Sequence, residues 1–213
     1  MILAIVVVGG HSRNVGKTSV VAGLITGLKE RRWTAVKITQ FGHGVCSANG
    51  KPCDCETADH TIAVSEEREA SGTDSGRYLG AGAERSLWVR TRQGQLVEAM
   101  PRIRKEIDRS TDIVFESNSI LRFVKPDVYL SVLDPNNRDF KESARRYVDR
   151  ADAILIPEGT CLRPELWENV SGRLYRNSTV ITMRAPQYVS PELIDFVRSR
   201  LQALVETGQG TLD

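Results

Sequence analysis

Residues 2–19 read ILAIVVVGGHSRNVGKTS. The run Ile2 to Val8 is apolar on both alternating faces, as a strand is when helices cover its sheet on either side. A glycine-rich turn follows, and Lys17 to Glu30 has helical composition. Strand, turn, Gly16-Lys17-Thr18 and helix, in that order, form the context of a phosphate-binding loop. Glycines let backbone N–H groups turn inward toward phosphate oxygens. The helix directs its positive end to the same oxygens. Lys17 adds a full charge, and the Thr18 hydroxyl suits Mg²⁺. The candidate loop residues are Gly10, Asn14, Val15, Gly16, Lys17, Thr18 and Ser19.

Short β-rich runs alternate with helical ones along the rest of the chain. Strands are expected at Ile2–Val8, Thr34–Ile38, Ser86–Val89, Asp112–Phe115, Val128–Leu133, Ala153–Ile156 and Thr179–Thr182. Helices are expected at Lys17–Glu30, Ser75–Ala81, Leu96–Asp108, Lys141–Arg150, Glu165–Val170 and Pro191–Glu206, the last with Ser190 as N-cap. The alternation predicts a doubly wound α/β domain with a mostly parallel sheet and helices on both faces. One such domain is expected over residues 1–207, followed by a frayed tail at 208–213. Residues 40–73 interrupt the rhythm as an insertion without a strong strand, containing a short helix near Ala58–Glu66.

The chain has 213 residues and a formal net charge of +2, from 29 basic and 27 acidic side chains. So balanced a surface gives no footprint for nucleic acid or for an anionic membrane. The basic runs Arg102–Lys105 and Arg145–Arg150 read as solvated helix faces. The first apolar run is too short to span a bilayer and lacks the flanks of a signal peptide. A cytoplasmic location is therefore expected.

Three further positions carry chemistry. Lys37 ends the second strand in AVKIT, where a lysine is expensive to bury without a partner. At the carboxyl end of a parallel strand it faces the ligand crevice. Glu116 ends the strand DIVFE, where an acid serves as a ligand for magnesium or water. Asp74, in GTDSGRYLGAGA, lies at a helix start. There either Asp74 or Ser75 could simply cap the helix.

Several of these patterns resemble known families. Five residues separate Gly10 from Gly16, as in dethiobiotin synthetase, unless His11 holds the first glycine position of the commoner four-residue spacing. Val15 to Thr18 resembles the end of that enzyme's loop and points to the SIMIBI class of P-loop NTPases. Lys37 resembles an active-site lysine of the same enzyme. Glu116 resembles the acidic strand end of the class, with Ser117 in place of the usual glycine. Gly72, Asp74, Ser75, Arg77, Ala81, Gly82 and Ala83 match a motif of the molybdopterin-guanine dinucleotide biosynthesis protein B family. That resemblance covers about the first 120 residues in patches. It implies a GTP-binding accessory of molybdenum cofactor synthesis, with Asp74 near Mg²⁺ and the triphosphate. The catalytic candidates are thus Lys17, Lys37, Asp74 and Glu116, with Thr18 and Glu116 on Mg²⁺. No Asn-Lys-x-Asp guanine motif occurs, so ATP and GTP both remain open. Asp134-Pro135-Asn136 and Arg184-Ala185-Pro186 follow strands and could border the base.

The chain has four cysteines, and the insertion gathers Cys46, Cys53 and Cys55 with His60. Three thiolates and an imidazole suit tetrahedral zinc, and soft thiolates also suit an iron–sulfur cluster. His43 is a reserve ligand. The nickel-chaperone GTPases of hydrogenase and urease maturation resemble this arrangement in kind, though not in spacing. Cys161 reads as a packing residue. Three functions fit: an NTPase accessory in cofactor or metal-centre assembly, a small-molecule kinase or ATP-dependent ligase, and a nucleotide-regulated metal-binding switch. Nucleotide is the expected small-molecule partner. A cofactor-synthesis or metalloenzyme partner protein and a homodimer are further expectations.

Overall fold

A computed structural model describes residues 3–41, 62–171 and 178–207. Eight strands form one sheet: β1 (Ala4–Gly10), β2 (Trp33–Phe41), β3 (Ile62–Glu66), β4 (Arg85–Arg92), β5 (Asp112–Glu116), β6 (Val128–Val132), β7 (Ala153–Pro157) and β8 (Thr179–Met183). Their order is β3-β4-β2-β5-β1-β6-β7-β8. Every pairing is parallel except that of β3 with β4. All seven residues of β1 are buried, as its unbroken apolar run requires.

Helices α1 (Lys17–Gly27), α2 (Asp74–Gly80), α3 (Leu96–Asp108), α4 (Glu142–Arg145) and α5 (Pro191–Thr207) connect and flank the strands. The core accordingly has two parts, one on each face of the sheet. Val20, Leu24, Val197 and Leu201 belong to one; Ala99, Ile103, Ala144 and Val148 belong to the other. In α3 the buried residues Leu96, Ala99, Met100 and Ile103 recur at helical spacing, while Arg102, Arg104 and Lys105 face solvent. The Ser190 hydroxyl accepts from the Leu193 amide at 3.3 Å, which is the expected cap of α5.

Three expectations need correction. Ile62–Glu66 is a strand rather than part of a helix, and residues 58–61 lie outside the described residues. The alternation in Ile-Ala-Val-Ser-Glu fits an edge strand half covered by its neighbour. The ten-residue helix at Lys141–Arg150 is instead the single turn α4 followed by a 3₁₀ turn at Val148–Arg150. Ala144, Tyr147, Val148 and Ala151 must all reach the core. The amides of Tyr147, Arg150 and Ala151 each bond three residues back, which tightens the winding. Glu165–Val170 is likewise not a helix but a 3₁₀ turn at Pro164–Leu166, ending on the buried Trp167.

The carboxyl ends of the parallel strands share one edge, at which Gly10, Phe41, Arg92, Glu116, Val132, Pro157 and Met183 terminate their strands. Register brings the chemistry to adjacent positions there. Val8 pairs with Glu116, and Lys37 pairs with Glu116 from the other side.

Candidate functional site: a glycine-rich loop facing a carboxylate–lysine cluster

The loop from Gly10 to Gly16 joins β1 to α1. Gly16 has φ 97° and Asn14 φ 57°, the left-handed region that glycine and asparagine tolerate best. A Cβ at Gly10 would stand 3.0 Å from the Lys17 side chain, the Val15 side chain and the Val132 carbonyl. Gly10 is therefore a position where the turn leaves little room for a side chain. His11 fills a different role. It is fully buried, with ring centroids 5.4 Å from both Phe140 and Trp167, and its two nitrogens face the carbonyls of Val132 and Asn137. Burial holds its pKa below the ordinary value. The segment after β6 thus clasps the start of the loop. Ser12 donates to Asp139 at 2.6 Å, and the Lys141 amide donates to the His11 carbonyl at 2.8 Å.

Lys17 opens α1, and its ammonium donates to the Ser12 carbonyl at 2.6 Å, curled back over the loop. Burial pulls its pKa down to about 8; Glu116 opposes that shift, while Lys141 and Lys37 add to it. A buried cation with cations beside it gains from a bound anion.

Glu116 is the hub of the site. It is buried, yet carries the only carboxylate on the end of β5. Thr18 donates to Oε2 at 2.9 Å, and the Lys37 ammonium lies 3.0 Å from both oxygens. The Tyr78 hydroxyl donates to the same Oε2. Burial, reinforced by the charge of Glu116, holds the Tyr78 phenol well above its ordinary pKa, so it stays a donor. Lys37 also pairs with Asp74 at 2.8 Å. Thr73, not Asp74 or Ser75, caps α2: its hydroxyl accepts from the Gly76 amide at 3.0 Å. That leaves the Asp74 carboxylate for Lys37. Ser75 donates to Glu67 instead, at 2.5 Å. Arg77 donates to Ser19 at 3.1 Å, tying α2 to the first turn of α1.

Strands β1, β2 and β5 and helices α1 and α2 thereby bring Lys17, Thr18, Lys37, Asp74 and Glu116 together. Asn118 adds a support. Its side-chain amide accepts from the Gly10 amide at 2.9 Å and donates to the Gly10 carbonyl at 2.8 Å. Tyr78 and the His11 anchor were not singled out from sequence. Tyr78 stands four residues after Asp74, on the same face of a helix, and that spacing was the available signal. Cys46, Cys53, Cys55, His60 and His43 lie outside the described residues. Among the described residues no group of three His, Cys, Asp or Glu is placed to hold a metal. Cys161 is exposed rather than packed.

No protein-family model and no curated protein matches this sequence. Solved structures do. HypB from Helicobacter pylori, in complex with nickel, aligns with a TM-score of 0.50 over 99% of this chain and 91% of that chain, at 13% identity. LpxK from Aquifex aeolicus, in complex with ATP, gives 0.44 over 85% of this chain and 54% of its own, at 16% identity. Signal recognition particle 54 kDa protein from Aeropyrum pernix K1, in complex with GDP, gives 0.46 over 97% and 49%, at 12% identity. This chain spans about half the length of the latter two. At such identities the likeness to HypB is one of fold: the mostly parallel, helix-flanked α/β sheet expected for a P-loop NTPase.

Proposed function

We propose that this protein binds a nucleoside triphosphate with Mg²⁺ in the loop Gly10–Ser19 and hydrolyses it slowly, as an accessory in cofactor or metal-centre assembly. The observation that carries the reading is the Thr18–Glu116 contact, with Lys17 on the same loop. A hydroxyl and a buried carboxylate meet at the mouth of a loop whose amides and lysine suit phosphate.

The donor set fits magnesium. Mg²⁺ takes hard oxygen ligands and is held by one or two carboxylates plus substrate phosphates and waters, not by an all-protein cage. Thr18 and Glu116 would hold it, and Asp74 lies one ammonium away through Lys37. When bound, the ion would supply positive charge to the phosphate oxygens. The chain's own residues do the rest. Lys17 leaves the Ser12 carbonyl for the phosphate oxygens. Tyr78 fixes one oxygen of Glu116. Lys37 keeps two carboxylates close without repulsion, and Asp74, about half exposed and held on Lys37 through one oxygen, would orient a water with the other.

Calorimetry with Mg-ATP and Mg-GTP tests the reading and names the base. Lys17→Ala removes a charge-assisted phosphate contact, about 1.5–3 kcal/mol. Unchanged affinity in that variant rules out the loop as the nucleotide site. The accessory role rests on the resemblance of residues 72–83 and on the cysteines at 46, 53 and 55. Slow hydrolysis stimulated by a partner supports it. Fast turnover with a metabolite supports the kinase or ligase reading instead, and metal affinity that depends on nucleotide without turnover supports the switch.

A further inference from the structure

A cleft of about 520 Å³ opens beside the phosphate loop, within the size range of small-molecule sites. Its near wall is Gly10, Lys17 and Glu116. Its far walls come from the end of β2, the β4–α3 turn, the turn after β5, and α4. No residue of β7, β8 or α5 lines it. Those elements instead approach the loop from its other side: a Cβ at Gly16 would lie 2.7 Å from the ring of Tyr188, in the turn between β8 and α5. The ligand-bearing edge of the sheet is therefore divided by the phosphate loop into two halves.

The half that holds the cleft is cationic. Besides Lys17, its walls carry Arg13, Arg122, Lys141 and Arg146, against Glu116 and Glu142. Both acids are committed, Glu116 to Lys37 and Glu142 to Arg145 and Arg146. Among the described residues Arg13, Arg122 and Lys141 have no carboxylate within ion-pair distance. Lys141 is pulled below its ordinary pKa by burial and then by the charge of Arg13, which outweigh the opposing charge of Asp139. It in turn lowers Lys17. Like charges held this close in a concave wall favour an anion between them. The floor supplies Ile38, Leu96 and Phe123, a surface for a carbon skeleton rather than for a bare ion.

We propose that this cleft binds a second, small anionic molecule, an organic carboxylate or phosphate, next to the terminal phosphate of the nucleotide. Arg122, Lys141 and Arg13 take the oxyanion, and the apolar floor takes the carbon chain. The inference rests on the nucleotide reading above and names what that site holds besides the nucleotide.

The test loads the full chain with Mg²⁺ and a non-hydrolysable triphosphate analogue, then titrates succinate, glycerol 3-phosphate and inorganic phosphate by calorimetry or NMR shift mapping. Occupying the loop first keeps the probes out of it. Binding of succinate separates the carboxylate source from the phosphate source, read by glycerol 3-phosphate. At least one organic anion binds the loaded protein more tightly than inorganic phosphate, and Arg122→Gln or Lys141→Met weakens it by about tenfold or more. Arg122 is exposed, so its variant avoids the folding risk of a change at the half-buried Lys141. Three results overturn the proposal: no organic anion binds the loaded protein, binding occurs only when the loop is empty, or binding ignores both substitutions. Failure of the analogue itself to bind removes the nucleotide reading as well. Analogue binding without anion binding removes this proposal alone.

Discussion

Glu116→Gln separates a magnesium ligand from a strand terminus, because the substitution keeps shape and removes charge. Lys37 lies 3.0 Å from both carboxylate oxygens. At an effective dielectric of about 20 the gross attraction is about 5–6 kcal/mol. Most of that is offset by desolvation, and Lys37 keeps Asp74 at 2.8 Å. The net loss of stability should be about 1–2 kcal/mol, a fall in Tm of about 3–6 °C for a chain of this size. The glutamine oxygen can still accept from Thr18 and Tyr78, but its NH₂ then points at the ammonium. The converse change, Lys37→Met, leaves a buried carboxylate uncompensated and should cost more, about 3 kcal/mol. In the double variant neither charge remains, so the two effects should fall well short of adding.

Function should respond differently from stability. Mg-dependent hydrolysis by Glu116→Gln should drop about a hundredfold or more, by analogy with other preorganised charge contacts. Mg-free nucleotide affinity should hold or tighten, since a negative charge has been removed beside phosphates. Steady-state phosphate release and calorimetry with and without Mg²⁺ read the two quantities. Hydrolysis at the wild-type rate, or strict additivity of the Lys37 and Glu116 variants in thermal melts, would make Glu116 a strand terminus only.

Other outcomes follow from the same geometry. Free Lys17 titrates near 8 and phosphate favours its charged form, so nucleotide affinity should be full below pH 8. It should decline above that by at most about tenfold per pH unit; calorimetry from pH 7 to 9.5 checks this, and Lys17→Ala should flatten the profile. Asn118→Ala deletes two hydrogen bonds to Gly10 and should cost about 1–3 kcal/mol in urea denaturation, with nucleotide affinity reduced because β1 hands the loop to α1 at that point. Elemental analysis of anaerobically purified protein should find about one Zn²⁺ or an iron–sulfur cluster per chain, lost in a Cys53→Ser, Cys55→Ser double variant; metal-free wild-type protein would remove the cysteine site.

Much of the fold was legible because β1, β5, β6 and β7 are short apolar runs bounded by turn residues, and their burial leaves no alternative. The missed strand β3 shows the limit. Ile62–Glu66 is half covered and runs into Glu66 and Glu67, so its alternation is brief and its acids resemble a helix start. Its partners on β4 lie between 21 residues away in sequence, at Glu66↔Leu87, and 29, at Ile62↔Thr91, information no local window holds. The site divides the same way. Lys17, Thr18, Asp74 and Glu116 are legible as a strand end and helix starts; Lys37 is legible as a lysine in an apolar run but does not end its strand, since β2 continues four residues beyond it to Phe41. Tyr78 is not legible, because its role depends on α2 lying over the end of β5. Three adjacent residues, Thr73, Asp74 and Ser75, can each cap a helix, and only the fold shows that Thr73 does so and that the Asp74 carboxylate is left over.

That leftover carboxylate bears on how the cysteine segment would act. Phe41 pairs with Arg92 on one side of β4, and Ile62 pairs with Thr91 on the other. Phe41 and Ile62, the described residues on either side of 42–61, therefore stand at the edge where the parallel strands end, two strand spacings apart, about 10 Å. The strand ending at Phe41 carries Lys37. Gln40, just before Phe41, accepts from Ser119 at 3.1 Å, beside the Asn118 that holds Gly10. The strand beginning at Ile62 leads, through Glu67 and its bond to Ser75, into α2 with Asp74 and Tyr78. A metal gathering Cys46, Cys53, Cys55 and His60 would act on both ends of this path, and a bound nucleotide would act on Lys37 and Asp74 between them. If one state of these elements suits both ligands, each must raise the affinity of the other by the same factor. Nucleotide affinity should then be higher with Zn²⁺ than without it, and Zn²⁺ affinity higher with nucleotide by the same factor; a factor of one would leave the cysteine segment and the nucleotide loop as independent sites.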